Sequence, residues 1–489
     1  MTNNGPAGLQ RCIPLACWVA VLLTTLLVCL KIISYGYLPE GDARRHAAKP
    51  FANKPYSQIV VVRPEYVVDH SPGWEWLLGV LHRDLGFGED GLISFSIASL
   101  LIWFFCLPLL WMRRPEAWLA AILALLVAVP ELMSRLTQAR PFLLTDGLLI
   151  AFLLAWSKDD GKNTRWPKLL LTSAGFALSV WMHGAWYLWV LLPAAFFMAQ
   201  RWRAGVWLTA CWAAGTLAGA LLTGKPVAFL YGAVFMAASV YQEHLPNWML
   251  VGEFQSSAGE FGSLLVLVLV WLWRRTQNRT FPSLFIQPVF WMIAISWLLG
   301  FFADRFWTDW GMPALLVWVA LQFDDAMPDV SADDSHKRLM ICGLILLPLY
   351  LSSTSDLGRR YTKSLEETFV SAGDPDLKGW LPEKDGIFYA DNMQFFYDTF
   401  YKNPEAEWRY IVGFEPALMP PDDLKIYRAI HRNKGADESY EPWIKKMRPE
   451  DRLTVNRTFQ PNLPSLEWKR SGDVWIGRLP RGGAGKGKH

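Results

Sequence analysis

The chain is poor in the features that mark disulfide-rich, metal-binding or nucleic-acid-binding proteins. Its 489 residues include only six cysteines, Cys12, Cys17, Cys29, Cys106, Cys211 and Cys342. All lie in or beside apolar runs, and none has metal-ligand spacing. They read as small buried apolar residues rather than a disulfide framework. An excess of one charge is lacking too: the formal net charge is +3, too small to imply a nucleic-acid partner. A leader-peptide cleavage site is missing after the first apolar run. Tyr35-Gly36-Tyr37 is a poor substitute and Arg11 the lone basic flank, so the run reads as a retained span. No internal repeat and no dense carboxylate or His/Cys ligand set is visible.

What is present is apolar. Hydrophobic residues make up 52% of the chain, with 27 tryptophans, yet the mean hydropathy is only +0.18. A polar C-terminal region dilutes a strongly apolar body, which argues for a membrane part plus a soluble part. Candidate spans are Ile13–Tyr35, Gly91–Met112, Ala117–Met133, Leu143–Trp156, Leu169–Met182, Ala185–Ala199, Val206–Thr223, Phe261–Trp273, Leu284–Phe302, Trp310–Gln322 and Leu339–Leu351. This gives about eleven membrane helices, several of them short. With the N-terminus inside, Lys/Arg clusters fall on inner loops: Arg113-Arg114, Lys158 to Lys168, Arg201 to Arg203, Arg274 to Arg279 and Lys337-Arg338. That is the positive-inside pattern. An odd count of spans then places the chain after Leu351 outside.

The predicted fold class is therefore a polytopic α-helical membrane protein with a small C-terminal α/β or α+β soluble domain. Residues 1–351 form the membrane domain, 352–480 an extracytoplasmic domain and 481–489 a disordered Gly- and Lys-rich tail. In the soluble part, 386–389, 408–413 and 474–477 read as strands, and Asp422 to His431 as a helix. Asn456-Arg457-Thr458 fits a glycosylation sequon, which matters only in a eukaryotic host.

Three outer segments break the charge pattern. The first, 38–90, is long and holds six lysines and arginines; the second holds Arg135 and Arg140; the fourth, Gly224 to Glu260, is long. Cations on that side need a reason, and an anionic ligand is the simplest. The first loop opens with Glu40-Gly41-Asp42-Ala43-Arg44-Arg45-His46, a carboxylate followed by two arginines and a histidine where the chain leaves the bilayer. Further on, Asp69-His70-Ser71-Pro72 leads into an amphipathic run with Leu77, Leu78, Val80, Leu81 and Leu85. Such a helix lies in the interface plane.

This arrangement resembles the lipid-linked-sugar glycosyltransferases of the C-type membrane fold (GT-C). The similar branch uses dolichyl- or polyprenyl-phosphate sugars and includes protein mannosyltransferases and lipid A aminoarabinose transferases. Besides the two motifs above, the resemblance rests on Ser134-Arg135-Leu136-Thr137-Gln138-Ala139-Arg140-Pro141 and Trp310-Gly311-Met312-Pro313. It covers about Ile13 to Gln322.

The resemblance implies an inverting transfer of a sugar from a polyprenyl-phosphate donor to a hydroxyl of a lipid, polysaccharide or protein acceptor. Asp42 would be the general base. Arg44, Arg45, His46, His70, Arg135 and Arg140 would be candidates for the leaving phosphate. Glu40, Asp146 and Glu253 would contact the sugar or support the site, and no cofactor is required. Glu40 beside Asp42 leaves room for a divalent cation, which the arginines make unnecessary.

Bland readings compete. Asp42 could cap a helix, His70 could be an N-terminal cap, and Arg135 and Arg140 could snorkel as interface anchors. Helical geometry keeps Arg44, Arg45 and His46 from all facing one way. His183 reads as a turn residue, whereas Trp181, Trp186, Trp307 and Trp310 lie where a sugar could stack. A lipid-linked-glycan transporter would show paired broken helices at the midplane. A membrane scaffold with an outer binding domain would leave the outer arginines unexplained. The expected location is a bacterial inner membrane with the catalytic loops periplasmic.

Overall fold

A computed structural model describes residues 7–66, 69–129, 131–162, 164–243, 246, 249–250, 252–256, 261–276, 283–326 and 335–480, the side chains from Pro14 onward. The predicted tail, 481–489, lies outside these residues.

The membrane part is a helical bundle. Its helices are α1 (Ala7–Ser34), α2 (Asp42–Ala52), α3 (Pro72–Leu85), α4 (Glu89–Cys106), α5 (Pro115–Ala128), α6 (Glu131–Thr137), α7 (Phe142–Trp156), α8 (Trp166–Met182), α9 (Leu191–Met198), α10 (Trp202–Leu221), α11 (Pro226–Gln242), α12 (Phe261–Thr276), α13 (Pro288–Gly300), the single turn α14 (Asp304–Phe306), α15 (Met312–Ala326) and α16 (Ser335–Thr354). By length and composition, four stretches can cross a bilayer: Pro14–Ser34, Glu89–Trp111, Trp202–Leu221 and His336–Thr354. Shorter apolar helices, among them Phe142–Trp156 and Pro288–Gly300, accompany them. This is an integral membrane protein.

The span count expected from sequence is not reproduced among the described residues. The run read as Ala117–Met133 is not straight: α5 ends at Ala128, and α6 sets off at 118° to it. Gly224 to Glu260, read as a loop, contains α11. Gly224 (φ 72°) turns the chain, and Pro226 opens the helix at its first turn, where its missing N–H costs nothing. Close packing has a visible cause where α8 meets α10. A Cβ on Gly215 or Gly219 would stand 2.6 and 2.5 Å from the carbonyls of Ser173 and Ala177. Only glycine lets the two backbones approach so closely.

The C-terminal region adds β1 (Ile387–Ala390), α17 (Met393–Lys402), β2 (Arg409–Tyr410), α18 (Pro421–Arg432), α19 (Glu441–Lys446), β3 (Arg452–Asn456), β4 (Glu467–Ser471) and β5 (Val474–Arg478). The sheet order is β2-β1-β3-β5-β4. β1 runs parallel to β2 and β3; β5 is antiparallel to β3 and β4. The sheet does not stand apart. Val60, in the loop after α2, bridges Tyr410 at its edge, and the Tyr410 N–H donates to the Ile59 carbonyl at 2.9 Å. Fully buried Arg44 of α2 forms ion pairs with Glu367 and Asp398. The first loop of the membrane part is thus sewn to the C-terminal domain, and the seam holds the cleft.

Candidate active site

Gly41 precedes α2 with φ 77°, a backbone position that favours glycine. Asp42 is therefore the first residue of the helix, where the free backbone N–H groups favour a negative charge. Its carboxylate faces a cleft, open to solvent, lined also by His46, His70, Arg140, His183, Arg305 and Glu253. The C-terminal domain supplies Tyr397, Phe414 and Glu415 to the same walls.

Two guanidiniums hold Asp42. Arg45 Nε donates to Oδ1 at 3.1 Å, and Arg140 Nε lies 3.7 Å from Oδ2. Burial pushes the Asp42 carboxyl up, but Arg45 and Arg140 outweigh it and hold it well below the usual carboxylate range. Arg45 also donates to the Tyr56 hydroxyl at 3.0 Å and lies over the Phe414 ring at 4.6 Å. Tyr56 in turn donates to Glu75 at 2.9 Å. The base candidate thus has a locked orientation.

The two histidines of the near wall are neutral donors or acceptors. Burial, with Arg45 nearby, pushes His70 down to about 4 and His46 well below the usual imidazole range. α3 carries His70 into place. Its Gly73 is required, since a Cβ there would stand 2.7 Å from the Trp181 ring. The His70 carbonyl accepts from the Gly184 N–H at 2.6 Å, tying α3 to the end of α8.

The far wall alternates charges. Glu253 pairs with Arg140 and, at 3.3 Å, with Arg135. Arg135 pairs with Asp309, whose other oxygen is 3.4 Å from Arg305 Nε. Arg305 Nη2 reaches His183 Nε2 at 3.3 Å. Asp309 sits in a π-helical turn, Trp307–Gly311, just ahead of α15. Such turns recur at functional sites.

Of the residues singled out in the sequence, Asp42, His46, His70, Arg140 and Glu253 meet in this cleft. Arg45 and Arg135 stand directly behind it, each bonded to a wall residue. Arg44 does not face it. Asp42 and Arg45, three apart, share one side of α2, and Arg44 is turned to the other, against Glu367 and Asp398. Glu40 is exposed and lines no part of the cleft. Asp146 is buried within α7, past its first turn, and also does not line it. Trp307 and Trp310, placed for sugar stacking by the sequence, are packed away: Trp310 stands edge-on to Trp189 at 5.1 Å. Cys106 is half-buried, and the other described cysteines are buried as expected.

Sequence reasoning missed Arg305, Tyr397 and Glu415, and took His183 for a turn residue. Arg305 had a signal: Asp304-Arg305-Phe306-Trp307 puts a cation just before a motif already noted. Among the described residues no group of three or more His, Cys, Asp or Glu side chains could hold a metal ion.

No family model matches the chain, and no curated protein matches it in sequence. Solved structures do match in three dimensions. The crystal structure of ArnT from Cupriavidus metallidurans in the apo state superimposes with a TM-score of 0.53, at 16% identity, over 94% of this chain and 97% of that one. The fold is ArnT-like. ArnT is an aminoarabinose transferase of GT-C fold, so the GT-C architecture expected from the short motifs is present. The likeness spans nearly the whole chain, so the C-terminal region, which had no counterpart in the sequence resemblance, belongs to the shared architecture. Within this ArnT-like frame the loop after α1 supplies the acid and the C-terminal domain roofs it.

Proposed function

We propose that the protein is a membrane glycosyltransferase that moves a sugar from a polyprenyl-phosphate donor to an acceptor hydroxyl at the extracytoplasmic face, with inversion. The observation that carries this reading is the Asp42 carboxylate in a roofed cleft whose other walls hold Arg140 and Arg305. The acceptor oxygen attacks the anomeric carbon, and its O–C bond forms as the bond from that carbon to the phosphate oxygen breaks. The electron pair leaves on the polyprenyl phosphate, and the hydroxyl proton passes to Asp42.

Arg140 and Arg305 would take the phosphate, because forked guanidinium donors match its oxygens. A second, mainly apolar recess supports this orientation. It is lined by Tyr187, Leu188, Tyr241, Phe254 and Phe306 and shares Arg305 with the cleft. A prenyl chain placed there puts its phosphate at Arg305 and its sugar toward Asp42. A carboxylate held as low as Asp42 is a weak base in the empty cleft. The donor phosphate adds a negative charge to the cleft beside Asp42, so proton affinity returns when the donor is in place.

The test is transfer by Asp42→Asn. Loss of about 10²–10⁴-fold in rate with donor binding retained is expected of a general base. Near-normal transfer would remove the assigned role.

A further inference from the structure

Four guanidiniums and several carboxylates surround the cleft, and one carboxylate is oddly placed for a site that must receive an anion. Glu253, in the short turn Gly252–Phe254, lies between the Arg135 and Arg140 guanidiniums and contacts both through Oε1. Arg140 is the cation that also faces Asp42, with its Nε 3.7 Å away and lacking a hydrogen-bond partner. Arg135 already has Asp309 as a second partner. The charges therefore balance locally without any ligand.

We propose that Glu253 is the residue that sets donor affinity, by occupying the place of the donor phosphate on Arg140 and giving it up when the lipid phosphate enters. This rests on the glycosyltransferase reading and specifies how that site is held when empty.

The physical reason is charge accounting. Phosphate arriving beside an Arg140 still paired with Glu253 would meet two carboxylates, Glu253 and Asp42, around one guanidinium. Like charges at such separations in a part-buried site cost several times what they cost in water. Phosphate binding thus requires the Glu253 carboxylate to leave Arg140 or take up a proton. The donor phosphodiester, like the carboxylate, carries one negative charge and two free oxygens, so it can take the place of Glu253 on the Arg140 fork one for one. A neutral or weakly charged lipid headgroup cannot make the exchange. Glu253 then discriminates against uncharged prenyl lipids such as the free alcohol. Released from Arg140, the carboxylate retains Arg135 at 3.3 Å as an alternative partner.

The experiment measures binding of geranylgeranyl phosphate, a short polyprenyl phosphate, to the full chain in detergent micelles. Wild type, Glu253→Gln, Glu253→Ser and Arg305→Ala are compared, with the uncharged alcohol geranylgeraniol as control. The expected result is binding roughly tenfold tighter in both Glu253 variants, the scale of one competing charge pair. Arg140→Ala combined with Glu253→Gln should lose that gain. Unchanged or weaker binding in folded Glu253 variants overturns the proposal, weaker binding meaning that Glu253 contacts the donor directly. Unfolding of both variants overturns it too, since Glu253 would then be a structural strut. Failure of the glycosyltransferase reading looks different: wild type would bind phosphate and alcohol alike, and Arg305→Ala would change nothing.

Discussion

At the scale of single residues, cations that face the cleft separate from cations that serve the fold. Arg305 and Arg44 make the contrast. Arg305 lines the cleft, whereas Arg44 is turned away, with its two Nη atoms on Glu367 and Asp398. Arg305→Ala should weaken polyprenyl-phosphate binding by about 10- to 100-fold, as expected for a charge-assisted pair worth about 1.5–3 kcal/mol. Equal affinity in a binding titration would take Arg305 out of the phosphate site.

Glu415 gives a pH test. Burial pushes its carboxyl up from an ordinary 4.5 to about 7. The folded state therefore binds a proton that the unfolded chain releases between those values. Its contribution is fully present below pH 4.5 and is lost as pH rises through about 7. Glu415→Gln should remove this slope, changing the stability difference from wild type by about 2–3 kcal/mol across the window. Unfolding measured in detergent at pH 4.5 and 7.5 checks it; an equal difference at both would show the side chain ionised in the fold. His70, pushed down to about 4, contributes the opposite slope below its ordinary 6.5. The comparison must therefore be between variants and not of wild type alone.

At the scale of elements, legibility followed local signals. α18 was readable because Pro421, Asp422 and Asp423 open it, His431 and Arg432 close it, and Leu424, Tyr427 and Ile430 make its buried face. α3 was readable from Pro72 and from Gly86, which closes it with φ 69°. By contrast, β3 and β4 were not read. β3 is buried along most of its length, and β4 is largely polar, so neither shows the alternation that marks a half-buried strand. α17 was missed because its run Met393-Gln394-Phe395-Phe396-Tyr397 reads equally as strand.

The site itself was half legible. Asp42, His70 and Arg140 lie in motifs with an order along the chain, whereas Tyr397 and Glu415 reach the cleft only through tertiary packing. The weakest point in this layer is the α3–α8 contact. Gly73→Ala should push α3 off Trp181, at a cost of about 1–3 kcal/mol typical of overpacking. His70 would shift with it, so transfer should fall along with the thermal midpoint. A stable variant with altered transfer kinetics would show that α3 moves independently of α8.

At the scale of the whole molecule, the cleft exists only because two parts of the chain meet. The membrane part contributes the acid and the arginines. The C-terminal domain contributes Tyr397, Phe414 and Glu415, and Phe414 stacks on Arg45, which holds Asp42. Arg44 is a fully buried electrostatic fastener of this junction, with no exposed side-chain surface and two carboxylate partners, each about a quarter exposed. That asymmetry makes a prediction in which the larger loss comes from the less obvious substitution. Glu367→Ala combined with Asp398→Ala leaves a guanidinium buried without a counter-charge, a change costing about 3–5 kcal/mol. Arg44→Met leaves two carboxylates that water can reach and fills the space with an apolar chain of similar length, so its cost should be smaller. Thermal unfolding of the two variants in detergent should therefore rank the double carboxylate variant as the less stable. Limited proteolysis should release its C-terminal domain first, and Asp42 would lose its roof with it. Equal stability of the two variants would mean that the other ties, among them the Val60–Tyr410 bridge and the Arg428–Glu243 pair, hold the domain over the cleft without Arg44.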